Sequence, residues 1–204
     1  MVINFKEYLE VQKYGTLNVF DIDDTLFHTT AKISVIKDGK PVKELTNQEF
    51  NTYKLGAGES FDYSQFRDSE KFYKESKPIS RMLDKASIIL KNSESNPLSK
   101  VVIVTARANF NDKHKFLDTF RKHKFDIDKV RVERAGNIND VEDIAFKKVI
   151  IIRNYINTNV FNKVRLFDDS MTNLKAFLKL KTEFPKVQFE AYFAKADGTI
   201  KTIK

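Results

Sequence analysis

Residues 17–30 read LNVFDIDDTLFHTT. Asp21, Asp23, Asp24 and Thr25 crowd onto the end of the apolar run that opens at Leu17. Like charges at the tip of a buried strand repel one another and resist desolvation. A cluster of this kind calls for a cation, or a reaction, that satisfies it.

Outward from that stretch, strands and helices alternate. TLNVFDID reads as a buried strand, preceded by a short amphipathic helix in NFKEYLEVQKY. SRMLDKASIILKN (80–92) predicts a helix with Ser80 as N-cap, KVVIVTA (100–106) a second strand, and NDKHKFLDTFRKH (111–123) a second helix. KVRVERA (129–135) follows as a third strand. DVEDIAFKKVIIIRNYINT (140–158) is a long helix capped by Asp140, with Ile144, Val149, Ile152 and Ile156 on one face. KVRLFDDS (163–170) is a fourth strand, MTNLKAFLKL a helix, and VQFEAYFAKADGTIKTI a closing hairpin that turns at Asp197-Gly198. Such alternation predicts right-handed β-α-β crossovers and a mainly parallel sheet covered on both faces. Ligands bind beyond the carboxyl ends of such strands. Here those ends carry Asp21-Ile22-Asp23, Thr105-Ala106-Arg107 and Asp168-Asp169.

Residues 28–79 break the alternation. AKISVIKDGKPVKEL predicts a hairpin around Asp38-Gly39. The segment leaves the first strand just past the acidic cluster, where it can serve as a flap over the site. The expected organisation is a core of residues 1–27 and 80–204 carrying a flap or small cap at 28–79.

Composition narrows the chemistry. The 204 residues fit one elaborated domain and include no cysteine, which excludes disulfides, thiol nucleophiles and cysteine-based zinc sites. The three histidines form no close ligand pair, so a bound metal must be held by oxygen, which favours magnesium. No run is long and apolar enough for a membrane span, and the first residues lack the apolar stretch of a secretory signal. A cytoplasmic protein is expected. The net charge of +8 suits a polyanion, although the basic residues are spread along the chain.

The strand-end residues supply the parts of a phosphoryl-transfer site. A carboxylate beside magnesium can attack phosphorus, and a second carboxyl can protonate the leaving oxygen and then activate water. A hydroxyl and an ammonium hold the phosphoryl oxygens, and further carboxylates complete the metal site. Asp21, Asp23, Thr105, Lys147 or Lys148, Asp168 and Asp169 occur in that order.

These motifs resemble those of the haloacid dehalogenase-like (HAD) superfamily. DIDDT matches its DxDxT signature, VVIVTAR its second motif, the lysine of IAFKKVI its third and RLFDDS its fourth. The likeness spans residues 17–26 and 80–194, and the insertion falls where that family places a flap or cap. It implies a Rossmann-like three-layer α/β/α fold. It implies Asp21 as nucleophile and magnesium ligand, and Asp23 as general acid/base whose backbone carbonyl also meets the metal. Thr105 would bind the phosphoryl group, Lys147 would neutralise charge with Lys148 as its rival, and Asp168 and Asp169 would hold magnesium. Asp24 stands at a variable position of the motif and receives no role. Arg107 either reaches a substrate phosphate or pairs with an acid. Asn173 either supports the metal site or is a surface amide.

The resemblance also sorts reactions. Asp23 argues against the dehalogenase branch, which lacks that aspartate, and the superfamily's pumps need membrane spans. No GxxxxGK[ST] supports a kinase. Magnesium-dependent hydrolysis of phosphomonoesters is the expected activity. The TAR of the second motif is similar to phosphatase modules of polynucleotide-repair enzymes and related phage proteins, so nucleotides or nucleic-acid ends are the expected substrates. The alternatives are a non-catalytic binding protein on the same scaffold and a sugar phosphotransferase.

Overall fold

The apolar run forms the centre of a six-stranded sheet in the computed structural model, which describes residues 13–50, 52–139 and 143–204. The strands are β1 (Gly15–Phe20), β2 (Phe27–His28), β3 (Ile33–Lys37), β4 (Lys40–Leu45), β5 (Glu59–Asp62), β6 (Lys77–Pro78), β7 (Lys100–Thr105), β8 (Arg131–Arg134), β9 (Phe161–Asp168), β10 (Gln188–Ala194) and β11 (Ile200–Ile203). The helices are α1 (Asn47–Phe50), α2 (Ser69–Glu75), α3 (Ser80–Ser93), α4 (Lys113–Lys122), α5 (Ile144–Ile156), α6 (Met171–Leu178) and α7 (Leu180–Glu183). The main sheet runs β11-β10-β9-β1-β7-β8. All neighbours are parallel except β11, which turns back on β10 through Asp197-Gly198 as the sequence predicts.

Counted along the chain, the parallel strands lie in the order 3-2-1-4-5, so the direction of winding reverses at β1. In open α/β sheets a ligand crevice lies beyond the carboxyl ends of the strands at that reversal. The side chains alternate to match. Phe20, Ile103 and Phe167 face a cluster with α3 and α4, while Leu17, Val19, Val104 and Leu166 face α5 and α6. Both faces are therefore covered, and that is why β1 and β7 read as continuous apolar runs. Phe27, Phe72, Phe116 and Phe120 meet edge-to-face or stacked in the first cluster. Truncating such a ring to alanine costs about 3–5 kcal/mol.

The insertion exceeds a hairpin. β3 pairs with both β4 and β5, and α1 packs its Phe50 against Phe61. Ala31, Ile33, Val35, Leu45 and Phe66 make a small core of their own. Asp38 and Gly39 both take positive φ (50° and 72°), the pair of left-handed residues a two-residue hairpin turn requires. Phe72 of α2 belongs instead to the main cluster, so the last part of the 28–79 segment packs as core.

Two local expectations change. Ser80 is not a side-chain cap: Ile79 holds that position, buried in the main cluster, and its carbonyl accepts from Met82 and Leu83. Burial of Ile79 sets the helix start one residue earlier than the hydroxyl suggests. α5 is capped by Asp143, whose side chain accepts from the Phe146 amide. Asp140 lies outside the described residues, as do residues 4–12 of the predicted first helix. Among the described residues, no helix is long and apolar enough to cross a membrane.

Candidate active site

β1 ends at Phe20, and Asp21 extends its line by donating its amide to Phe167 of β9 at 3.0 Å. The chain then folds tightly. The Ile22 carbonyl accepts from Thr25, Leu26 and Phe27, which turns Asp23 back over the strand end. Asp24 closes the turn at φ 56°, a left-handed conformation that aspartate tolerates better than most residues. Its carboxylate takes His28 Nδ1 at 3.2 Å and Asn47 Nδ2 at 3.1 Å. The other nitrogen of His28 contacts the Ala196 carbonyl at 3.0 Å. Asp24 and His28 thus join the loop to α1 and to the β10–β11 turn.

The deepest part of the site is acidic. Asp21 and Asp168 are 5% and 0% exposed, and with the half-buried Asp169 they place carboxylate oxygens within 4.8 Å of one another. Lys148 Nζ lies between two of them, 2.7 Å from Asp21 Oδ1 and 2.8 Å from Asp168 Oδ2. Asn173 Nδ2 donates to both oxygens of Asp168 at 2.9 and 3.1 Å, and the Ser170 amide donates to Oδ1 at 2.8 Å. Asn173 therefore supports the acidic cluster rather than the surface.

The cluster is short of positive charge. Burial, reinforced by Asp168 and Asp23, pushes the Asp21 carboxyl up to about 7 despite Lys148. Burial together with Asp21 and Asp168 pushes Asp169 up to about 8. Burial also works against the Lys148 ammonium, but Asp168 and Asp21 outweigh it and raise that group above the ordinary lysine value. With all three carboxyls ionised, the cluster carries two more negative charges than its one ammonium offsets.

The lysine at this centre is Lys148, which corrects the choice of Lys147. Lys148 lies four and eight residues before Ile152 and Ile156, so it shares their buried stripe. Lys147 sits a residue round the helix, half-buried, and makes no ion pair with the acids among the described residues. The periodicity of the apolar face contained this answer, since its phase is fixed by Val149, Ile152 and Ile156.

Arg107 resolves in the other direction. Its side chain is 1% exposed and grips Asp23, with Nε 2.9 Å from Oδ2 and Nη2 2.7 Å from Oδ1. Nη1 donates to the Phe66 carbonyl at 2.9 Å, and the guanidinium lies over the Phe72 and Phe66 rings. Pairing with an acid is the geometry found: burial leaves Arg107 facing Asp23 and the insertion. Thr105 is wholly buried at the end of β7, with its Oγ1 accepting the Arg107 amide at 3.2 Å. Gly136 lets the turn after β8 press on this loop, because a Cβ there would stand 2.5 Å from the Ala106 carbonyl oxygen.

Two contacts fall outside the motifs. Thr29 Oγ1 donates to Asp23 Oδ1 at 2.8 Å, and Phe66 holds Arg107 through a backbone carbonyl. A carbonyl leaves no trace in residue type. Thr29 lies six positions after Asp23 with no periodic relation to it.

The site thus assembles Asp21, Asp168, Asp169 and Lys148 on one side, and Asp23 with Arg107 and Thr29 on the other. No protein-family model and no curated protein sequence matches the chain.

Proposed function

We propose that the chain is a magnesium-dependent phosphomonoesterase of the HAD type that works through an aspartyl-phosphate on Asp21. The observation that carries this reading is Lys148 bridging Asp21 and Asp168, with Asp169 beside them, at the carboxyl ends of the two strands where the sheet reverses. The donor set fits a hard divalent cation. It is all oxygen, and its three carboxyls, once ionised, exceed the one ammonium by two negative charges, which is the charge such an ion brings. Asp21, Asp168 and Asp169 would hold the ion, with the Asp23 backbone carbonyl a further ligand. Magnesium bound there supplies Lewis-acid polarisation of the phosphoryl oxygens.

The chain's own groups do the rest. Lys148 fixes the Asp21 carboxylate and offsets charge as a phosphate dianion approaches it. Thr105, at the end of the neighbouring strand, offers its hydroxyl proton to a phosphoryl oxygen. Asp23 donates a proton to the leaving oxygen and later takes one from water. Asn173 and the Ser170 amide keep Asp168 from turning away from Lys148. Nucleotides and nucleic-acid ends are the substrates this reading favours, on the strength of the +8 charge.

The test is phosphate release from an aryl phosphate with magnesium present, by the wild-type chain and by Asp21→Asn. The expected loss in the variant is about 10³-fold or more. Equal rates across a panel of aryl phosphates, nucleotides, 3′-phosphorylated oligonucleotides and sugar phosphates would end the proposal. A second readout needs no turnover. Magnesium at about ten times its Kd should add about 1.4 kcal/mol to the wild-type stability, and Asp168→Asn should abolish that gain. Hydrolysis of oligonucleotide ends should weaken with salt more than that of mononucleotides.

A further inference from the structure

Asp23 is held in a way that leaves one outlet for a proton. A carboxylate offers about four lone-pair positions, two on each oxygen. Oδ1 accepts two bonds, from Arg107 Nη2 at 2.7 Å and Thr29 Oγ1 at 2.8 Å. Oδ2 accepts one, from Arg107 Nε at 2.9 Å. Both positions on Oδ1 are filled, and the open one is on Oδ2. The insertion enforces this arrangement. Arg107 is fixed by the Phe66 carbonyl at 2.9 Å and lies over the rings of Phe66 and Phe72, 5.1 and 4.6 Å from their centres. Thr29 stands at the insertion's entry, a residue after β2.

We propose that proton transfer runs through Asp23 Oδ2 alone, and that Arg107 and Thr29 are positioning residues through which the insertion sets this geometry. The inference rests on the phosphatase reading of the site and adds to it the atom and the residues that direct it. In the first half-reaction an Asp21 oxygen bonds to phosphorus as the ester P–O bond breaks. The leaving oxygen takes the proton from Oδ2, so the products are an alcohol, the acyl phosphate and an Asp23 carboxylate. In the second, a water oxygen bonds to phosphorus and gives a proton to Oδ2 as the acyl-phosphate P–O bond breaks. Asp21 returns as a carboxylate, and Asp23 is again protonated.

Leaving groups distinguish positioning from substrate binding. A nitrophenolate departs without a proton, whereas an alkoxide needs one. Values of kcat/KM, which report the first half-reaction, should be measured for 4-nitrophenyl phosphate and an alkyl phosphate. The proteins are the wild type, Arg107→Lys, Thr29→Val and Thr29→Ser. Arg107→Lys should lose about 100-fold on the alkyl ester and less than about fivefold on the nitrophenyl ester. Thr29→Val should show the same selectivity at about tenfold, and Thr29→Ser should restore the wild-type ratio. Thr29 is half-buried, so its near-isosteric variants keep the test available should Arg107→Lys fail to fold. Equal losses on both esters, with a raised KM, would overturn the proposal by making Arg107 and Thr29 substrate ligands. An unchanged ratio in Thr29→Val would overturn it as well. Failure of the phosphatase reading looks different, because wild type and Asp21→Asn would then be equally inactive on both esters.

Discussion

Lys148 and Arg107 are two buried cations at the same edge of one sheet, and their surroundings differ in charge. Arg107 faces Asp23 alone, with a carbonyl and two aromatic rings taking up the rest of the guanidinium. Lys148 faces Asp21 and Asp168 with Asp169 close by, more negative charge than one ammonium can match. A balanced pair holds a side chain in place. An unbalanced group keeps its excess only where something positive arrives to meet it, and maintaining it costs stability in the meantime.

The largest expected effect comes from removing the cations themselves. Lys148→Met strands the three acids in the interior and should cost about 3–5 kcal/mol in urea unfolding. Arg107→Met strands one carboxyl whose side chain is 12% exposed, and should cost less. The reverse ranking would break the comparison.

The same substitution should act with opposite signs on the two sides. Asp23→Asn replaces one of the two oxygens that the Arg107 guanidinium grips with an amide donor and should destabilise. Asp169→Asn relieves the excess and should add about 1 kcal/mol in metal-free buffer at neutral pH. The pH dependence sharpens this. Asp169 is raised in the folded chain from 3.8 to about 8, so between those values the folded state binds more protons than the unfolded one. The Asp169 contribution to metal-free stability is therefore complete below about pH 4 and is lost as pH rises toward 8. Thermal unfolding across that range should show a shallower decline for Asp169→Asn. A wild-type stability that rises over the same interval would remove the charge excess from the argument.

The smallest effect tests the supports. The Ser170 side chain caps α6 by accepting the Asn173 amide at 3.4 Å, and Asn173 in turn holds Asp168. Ser170→Ala should cost about 1 kcal/mol. It should also weaken magnesium-dependent stabilisation, which a cap remote from the acidic side, at Asp143 of α5, would reach only through Lys148.

How much of this was legible in the sequence follows the range of each interaction. The strands, their order of acids and the Asp38-Gly39 and Asp197-Gly198 turns are local patterns, and each appears where the residues indicated. Lys148 is within reach of the pattern, since it falls on the buried stripe of Ile152 and Ile156. The hold on Arg107 was out of reach. It depends on a main-chain carbonyl 41 residues away and on rings from an insertion whose docking no periodicity describes. Sequence patterns report which face of an element is buried, and they are silent on what a distant loop presents to it.

The pairing of β2 with β6 has a consequence for how the molecule can be rebuilt. Phe27 lies opposite Pro78 and His28 opposite Lys77, so the insertion leaves and rejoins the core through one doorway two residues wide. Its ends are anchored side by side, and lengthening the segment between them adds little closure entropy. The insertion is thus a replaceable module on a fixed hinge-post. A graft of different size would be accepted by the sheet, and it would inherit one obligation: to offer Arg107 a carbonyl where Phe66 now stands.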